Sequence, residues 1–128
     1  MVKRTLDELK PYSAPGHFGM VPLRVHGKEE TGAEKFWIGL SVFLPGGGAE
    51  WDDASPQEKV YYVLEGAMTV TDKDGKKYVV HAGESISFKP REGRSLINET
   101  NLPARMLVIG NYIPVTVMRI KKHLCHCL

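Results

Sequence analysis

Carboxylate side chains are concentrated around the segment WDDASPQE, residues 51–58. Glu50, Asp52, Asp53 and Glu58 are the acidic residues of this region. Carboxylate oxygens are the ligands that hard cations such as Ca²⁺ and Mg²⁺ prefer. The cluster lacks the fixed spacing of a cation-binding loop, however, and acidic loops are commonly just solvated. A cation site and a solvated loop are therefore both open interpretations.

Histidines and cysteines form a second group with metal-binding chemistry. The C-terminal sequence HLCHCL contains His123, Cys125, His126 and Cys127. These are soft or borderline donors, but their spacing matches no zinc motif with a known loop geometry. We interpret the tail as a C-terminal extension with reactive thiols, with metal binding as the alternative. His81, alone on a predicted strand, is interpreted as a surface or packed residue.

Cysteine usage and composition limit the class of protein. Cys125 and Cys127 are the only cysteines and are too close in sequence for an ordinary structural disulfide, which favours a reducing, cytoplasmic location. The 128 residues, 42% of them hydrophobic and 25% charged, suffice for one globular domain. A net charge of +2 argues against general nucleic-acid binding. No apolar run is long enough for a membrane span, and MVKRTLDELK lacks the apolar region of a secretory signal.

Short strands separated by turn residues account for most of the chain. The predicted strands lie in HFGMVPLRVHG, EKFWIGLSVFLPGGG, KVYYVLEGAMTVTDKDGKKYVVHAGE, SISFKP, RSLINET and ARMLVIGNYIPVTV. Asp74-Gly75 predicts a hairpin turn because both residue types tolerate positive φ angles. Helix is predicted only in TLDELKPY, with Thr5 as its cap, and in the tail VMRIKKHLCHCL. Many short strands without helical crossovers predict an all-β sandwich or barrel.

Two stretches of this pattern resemble the sequence motifs of the cupin superfamily. YYVLEG, residues 61–66, matches the end of the first motif, G-x5-H-x-H-x(3,4)-E-x6-G, and residues 83–98 resemble the second, G-x5-P-x-G-x2-H-x3-N. The resemblance covers about residues 35–113 and implies a small single-domain cupin with a double-stranded β-helix, or jelly-roll, barrel. We expect an N-terminal arm over residues 1–19, the barrel over 20–115 and a tail over 116–128. Because small cupins commonly form dimers, the resemblance also implies a homodimer.

The motif positions at which cupins hold a metal carry other residues in this chain. Aligned from Gly66, the positions of the two His, the Glu and the second-motif His hold Asp53, Ser55, Lys59 and Arg94. Lys and Arg are cations at neutral pH, so this set does not suit a first-row metal. A four-residue spacer would align Asp52 and Ala54 instead, which is no better. We therefore expect a cupin without the usual metal and without another cofactor.

The same substitutions predict a pocket for a small anion. Lys59 and Arg94 would point into the barrel from facing strands, where Arg binds carboxylate or phosphate through two hydrogen bonds and Lys adds a point charge. Trp51 would share a face with Asp53. The residues expected to bind the ligand are therefore Trp51, Asp53, Ser55 and Arg94. The expected partner is a small carboxylated or phosphorylated metabolite, with no nucleic acid and no membrane involved.

Catalytic roles would follow from the strand that carries Lys59. Alternation would put Tyr61, Val63 and Glu65 on the same face as Lys59. A Lys partly removed from water beside an Arg has a lowered pKa, which suits a base or a Schiff-base amine. Lys59 is then the base or electrostatic partner, with Tyr61 or Glu65 as proton donor or relay, in a lyase, isomerase or decarboxylase reaction.

Two other functions stay open from the sequence. The inward charges could pair with each other as structural filler, Lys59 with Asp53 and Arg94 with Glu58 or Glu65, in a regulatory or structural barrel. A metal-dependent isomerase, lyase or dioxygenase with unusual ligands is the other alternative. His17 and His26 would reach the barrel mouth only if the N-terminal arm folds over it.

Overall fold

In the computed structural model, which describes residues 1–114, the chain forms eight β-strands with little helix. One turn of 3₁₀ helix covers Leu6–Glu8, and one short α-helix, α1, covers Lys28–Thr31. The strands are β1 His17–His26, β2 Phe36–Asp52, β3 Lys59–Glu65, β4 Ala67–Thr71, β5 Lys77–His81, β6 Ser85–Phe88, β7 Arg94–Ile97 and β8 Ala104–Asn111. Within residues 1–114, no helix is long and apolar enough to cross a membrane.

All eight strands belong to one antiparallel sheet that curls into a nearly closed barrel. The strand order is β5-β4-β7-β2-β8-β3-β6, and β1 pairs with the other edge of β2. Strand β2 is the organising element, because it pairs with β1 on one side and with both β8 and β7 on the other. The architecture confirms the predicted all-β barrel.

The core fills one end of the barrel. Alternating residues of β2, β3 and β8 point inward, and the largest fully buried apolar side chains are Phe43, Val63, Met68, Val70 and Met106. Burying side chains of this size removes apolar area from water, which is the main force that closes the barrel. The other end of the barrel carries the polar side chains discussed below.

A buried amide closes the connection between β7 and β8. The Asn98 side chain is fully buried, donates to the carbonyls of Phe43 and Leu102, and accepts from the backbone N–H and hydroxyl of Thr100. Its hydrogen-bonding capacity is thus largely used, as a buried amide requires. Asn98, which resembles the last position of the second cupin motif, therefore has a structural role here.

Strand β2 is longer than the sequence predicts. We expected a strand ending at the glycines 46–48, but β2 continues through them to Asp52. Gly48 lies against the backbone of Leu96 and Ile97 on β7, where a Cβ atom would overlap with the chain. The glycines therefore allow close approach of two strands rather than ending one, and this approach brings Asp52 opposite Arg94.

The ends of the chain differ partly from expectation. The helix predicted in TLDELKPY is reduced to the single 3₁₀ turn, where the Thr5 hydroxyl contacts the side chains of Asp7 and Glu8 rather than capping the backbone. The Asp74-Gly75 hairpin between β4 and β5 is confirmed, with Gly75 at φ 79°. Strand pairing begins at His17, slightly before the expected boundary at residue 20. The predicted tail helix and HLCHCL lie outside the described residues.

Candidate functional site

A cavity of about 510 Å³ opens at the polar end of the barrel. This main cavity is lined by residues of the N-terminal arm, α1, the strands β1, β2, β3, β7 and β8, the loop after β2 and the segment after β8. Its lining comprises Tyr12, Ala14, Pro15, His17, Met20, Pro22, Arg24, Lys28, Trp37, Ser41, Phe43, Asp52, Ala54, Ser55, Pro56, Gln57, Lys59, Tyr61, Leu96, Met106, Val108, Tyr112 and Ile113. The arm therefore reaches the barrel mouth and contributes His17, whereas His26 bonds to Thr31 and does not line the cavity.

One rung of the sheet positions the central lysine of this cavity. Trp37 pairs with Gly110, Gly110 pairs with Lys59, and Lys59 pairs with Phe88 across four neighbouring strands. Gly110 has no side chain, so the Trp37 ring lies over it and approaches Lys59, whose Nζ is 5.9 Å from the ring centroid. The indole thus forms a wall of the main cavity beside the Lys59 ammonium.

Arg24 is one of two main-cavity cations, with Lys28, that the sequence did not predict. Its guanidinium packs against two aromatic rings, with Cζ 4.3 Å from the Tyr12 centroid and 4.2 Å from the Trp37 centroid. Such cation–π contacts hold the guanidinium in place without a carboxylate, and its N–H groups can form hydrogen bonds with a ligand. A signal was available in the sequence, since Met20, Pro22 and Arg24 alternate on one face of β1. The partner strand and the arm that covers Arg24 could not be read from it.

Burial shifts the pKa values of two groups close to Arg24, the Lys59 ammonium and the Tyr12 hydroxyl. The pKa of Lys59 is lowered, first by burial and then by the positive charges of Arg94 and Arg24, while Asp52 opposes the shift. The pKa of the Tyr12 hydroxyl is raised, mainly by burial, against the opposing charge of Arg24. At neutral pH Tyr12 is therefore a neutral hydrogen-bond donor, and Lys59 loses its proton more readily than an exposed lysine.

Arg94 lies next to the main cavity rather than in it. It is 5% exposed, and its guanidinium is 4.7 Å from the Phe88 centroid. One N–H donates to the Glu92 carbonyl at 3.2 Å and another to the Tyr61 hydroxyl at 3.4 Å. Because the Tyr61 oxygen accepts this bond, its own proton stays available for a ligand. A guanidinium carries five N–H donors, so these two bonds leave others unused.

Arg94 lines a side groove that adjoins the main cavity. The groove, of about 360 Å³, is lined by Pro15, Gly16, His17, Ala49, Glu50, Trp51, Asp52, Lys59, Tyr61, Arg94, Ser95 and Leu96. Both spaces share Lys59, Tyr61 and Asp52. The side groove and the main cavity are therefore two parts of one site, with Lys59 at their junction.

The acidic segment contributes Asp52 rather than Asp53. Asp52 ends β2, and its Oδ1 accepts the backbone N–H groups of Ala54 at 2.9 Å and Ser55 at 3.3 Å. This turn directs Asp53 outward, where it is exposed and lines neither space. Ser55 does line the main cavity. The placement agrees with the four-residue spacer, and it moves the expected carboxylate contact from Asp53 to Asp52.

Glu65 is not brought to the site. It is exposed at the far end of β3 and pairs with Arg105 at 3.9 Å. A register shift between Val63 and Glu65 breaks the alternation that was expected to turn Glu65 inward. Tyr61 meets the expectation, since it lines both spaces. Trp51 is 47% exposed and lines only the side groove.

If the inward charges served only to fill the barrel, they would form ion pairs with each other. No such ion pair is found within residues 1–114. The ion pairs of that range join Arg4 to Glu8, Lys77 to Glu99 and Arg105 to Glu65. Arg24, Lys59 and Arg94 take part in none of them. Glu65 in particular pairs on the surface and does not balance Arg94.

The donor set at the motif positions does not fit the metal that cupins commonly hold. Asp52, Ala54, Lys59 and Arg94 offer one carboxylate and two cations, and a first-row metal requires several nitrogen, oxygen or sulfur donors. Over the described part of the chain, no three His, Cys, Asp or Glu side chains cluster as a metal site. His81 is exposed on β5 and lines neither the main cavity nor the side groove.

Comparison with known proteins identifies the family. Residues 39–110 match the family model of the cupin domain. The chain belongs to the cupin family. A protein of Mycobacterium tuberculosis named beta-D-galactosidase is 40% identical to this cupin over 97 residues, which are 76% of this chain and 82% of the relative.

Solved structures agree with the barrel architecture. The polyketide cyclase RemF of Streptomyces resistomycificus superposes with a TM-score of 0.76 at 24% identity, covering 87% of this cupin and 80% of the cyclase. A sugar phosphate isomerase of the cupin superfamily from Silicibacter pomeroyi gives a TM-score of 0.73 at 25% identity, covering 88% and 77% of the two chains. At this level of identity the structures establish the shared fold.

Proposed function

We propose that this cupin binds a small anionic sugar derivative, carrying a carboxylate or phosphate, in the main cavity and without the usual cupin metal. The observation that carries this proposal is the charge of the lining. Arg24, Lys28 and Lys59 face the main cavity, and Asp52 is the one carboxylate among its described lining residues. Such a surface attracts anions from solution and holds them in a partly desolvated space.

Lys59 and Arg24 are the cations that an anionic ligand would stabilise most. A buried cation without a carboxylate partner is costly, because it gives up hydration without receiving a counter-charge. An anionic ligand removes that cost and accepts hydrogen bonds from both groups. The pKa of Lys59 is lowered, first by burial and then by Arg94, so the opposing charge of Asp52 compensates this ammonium only in part. Ligand binding is expected to raise that pKa again.

The aromatic walls favour a sugar as the carrier of the anion. Tyr12, Trp37, Tyr61 and Tyr112 all line the main cavity. Their rings offer apolar faces against C–H groups, and their hydroxyls and indole N–H offer hydrogen bonds to ligand hydroxyls. The names of two relatives, a galactosidase and a sugar phosphate isomerase, agree with a sugar ligand.

If this cupin is an enzyme, Lys59 and Tyr61 would be the residues that transfer protons to and from the ligand. Neutral Lys59 would take a proton from a carbon next to a carbonyl group of the ligand, and the Tyr61 hydroxyl would donate a proton to the carbonyl oxygen that gains charge. Arg94 supports this direction of transfer, since it donates to the Tyr61 oxygen. Proton transfer of this kind belongs to isomerases and lyases.

The identity with the galactosidase of Mycobacterium tuberculosis favours a second candidate, hydrolysis of a galactoside. Two-carboxylate hydrolysis requires an acid and a nucleophile or base on either side of the bond. Asp52 and Glu50 both line the side groove and are the pair available for that role. Release of nitrophenol from a nitrophenyl β-galactoside, abolished in both Asp52→Asn and Glu50→Gln, would support hydrolysis. Equal rates in wild type and both variants would exclude this pair as the catalytic carboxylates, and no release by the wild type would exclude hydrolysis of this substrate.

A thermal-shift panel tests the main proposal. Sugar acids, sugar phosphates and the corresponding uncharged sugars are each added to the purified protein. We expect anionic members to raise the melting temperature and uncharged ones to have little effect, since ligand binding to the native state stabilises it. Lys59→Met should remove the anion effect. A panel in which no anion stabilises the protein, or uncharged sugars stabilise it equally, contradicts the proposal.

A further inference from the structure

The two arginines of the site occupy different parts of it. Arg24 lines the main cavity and not the side groove, whereas Arg94 lines the side groove and not the main cavity. Lys59 lines both, and the positive charges of both arginines act on its ammonium. The site thus has a cation at each of two separate positions and a third at the junction.

Each arginine is held by aromatic rings instead of by a carboxylate. Arg24 packs against Tyr12 and Trp37, and Arg94 stacks on Phe88 while it bonds to the Tyr61 hydroxyl and the Glu92 carbonyl. Neither arginine belongs to an ion pair of residues 1–114. Stacking fixes the plane of a guanidinium, and a fixed plane is suited to a two-point hydrogen bond with one carboxylate or phosphate.

The charges of the whole site are not balanced. The side chains that line the two spaces include four cations, Arg24, Lys28, Lys59 and Arg94, and two carboxylates, Glu50 and Asp52. Arg24 and Arg94 line different spaces, so two anionic groups at the ends of a short chain would meet one arginine each.

We propose that the ligand carries two separate anionic groups, one bound by Arg24 in the main cavity and the other by Arg94 in the side groove, with Lys59 between them. This rests on the proposed anion-binding function and narrows it to a class, a phosphorylated sugar acid or a similar polyhydroxylated molecule with an anion at each end. The middle carbons of such a molecule lie beside Lys59 and Tyr61, the two residues assigned to proton transfer.

Calorimetric titration with three probes tests this inference. The probes are an aldonic acid, an aldose 6-phosphate and the 6-phosphoaldonic acid that combines both groups, each in the gluco and the galacto configuration. We expect the doubly substituted probe to bind about tenfold to a hundredfold more tightly than either singly substituted one, the range given by one additional charged hydrogen-bonding contact. Arg24→Met and Arg94→Met should each reduce its affinity to that of a singly substituted probe.

Three further variants distinguish the loss of a ligand contact from a general effect of replacing an arginine. Arg105→Met removes a surface arginine that lines neither space and should leave all affinities unchanged. Arg24→Lys and Arg94→Lys retain charge but lose the two-point geometry, so they should give intermediate affinities and serve if the Met variants do not fold. Equal affinity for all three probes overturns the two-anion inference and leaves the proposed function standing. No binding of any probe to the wild type overturns both.

Discussion

The Trp37 indole lies over the backbone of Gly110, so close that a Cβ atom at Gly110 would be 2.6 Å from Cζ2 of the ring. The two residues are directly paired between β2 and β8. The absent side chain lets the ring extend across β8 toward Lys59 while its other part covers Arg24. A single glycine thereby brings an aromatic wall and two cations together in one cavity.

Gly110→Ala should displace the indole and weaken the site. Overpacking of this kind costs about 1–3 kcal/mol of stability, and the moved ring no longer covers Arg24. We expect a lower melting temperature and weaker anion binding. Combining Gly110→Ala with Trp37→Phe provides the control, because the smaller ring relieves the overlap. The double variant should lose less stability than the two single variants together, and strictly additive losses would show that the contact is not strained.

Lys59→Met should stabilise the ligand-free protein at neutral pH. The folded-state pKa of Lys59 is depressed below its ordinary value of 10.5, mainly by burial. Below the folded pKa, the charged Lys59 therefore lowers the free energy of unfolding of the native protein. Wild-type stability then recovers as the pH rises from the folded toward the unfolded pKa. The gain in melting temperature over wild type should therefore be present at pH 7 and shrink by pH 10. Lys73→Met, at an exposed position of the β4–β5 hairpin that belongs to none of the ion pairs of residues 1–114, should show no such trend.

Metal content should stay well below one equivalent in protein purified without added metal. The motif positions supply one carboxylate, Asp52, beside the two cations Lys59 and Arg94. Chelator treatment should leave both the melting temperature and anion binding unchanged. Mass spectrometry for Fe, Mn, Ni and Zn measures the content. A stoichiometric metal that Lys59→Ala leaves in place would contradict the motif alignment, and one lost in a Cys125→Ser, Cys127→Ser variant would belong to the tail.

We predict a homodimer whose interface lies on the outer face of the sheet. Leu23, Leu40, Leu107 and Tyr62 form one continuous rung over β1, β2, β8 and β3, on the face opposite the cavity. Tyr62 is 39% exposed and Leu23 and Leu107 are half-buried, whereas Leu40 is already buried within the chain. A partner on this face would cover the apolar area that Leu23, Leu107 and Tyr62 leave in water. Sedimentation velocity should give a dimer for the wild type and a monomer for Leu107→Glu. Val79→Glu, on an exposed position of β5, is the matched control. A monomeric wild type would refute this prediction.

Local sequence patterns were sufficient to predict the fold. Alternation identified the strands, Asp74-Gly75 identified a hairpin, and the motif resemblance placed Lys59 and Arg94 near one another. These features depend on residues close together in sequence or on a motif of fixed spacing. The confirmed all-β barrel and the placement of Tyr61 beside Lys59 both follow from them.

The parts of the site that could not be predicted depend on contacts between distant segments. Arg24 becomes a cavity residue only because β1 pairs with β2 and the arm brings Tyr12 over it. Glu65 leaves the inward face because of an irregularity in the β3–β8 pairing. Asp52 rather than Asp53 lines the cavity because its side chain accepts the backbone N–H groups of Ala54 and Ser55, a turn that selects the four-residue spacer over the three-residue one. Local sequence patterns alone did not decide these three features.

Calorimetric titration of an aldose 6-phosphate into wild type, Lys59→Met and Arg105→Met tests the central claim most directly. We predict saturable binding at one site per chain in the wild type, weakened by added KCl because the contact is between charges. Lys59→Met should lose about tenfold or more in affinity, the expected cost of a charged hydrogen bond, while Arg105→Met binds like the wild type. Wild-type binding that is absent, or that survives unchanged in Lys59→Met, would contradict an anion site in this cavity.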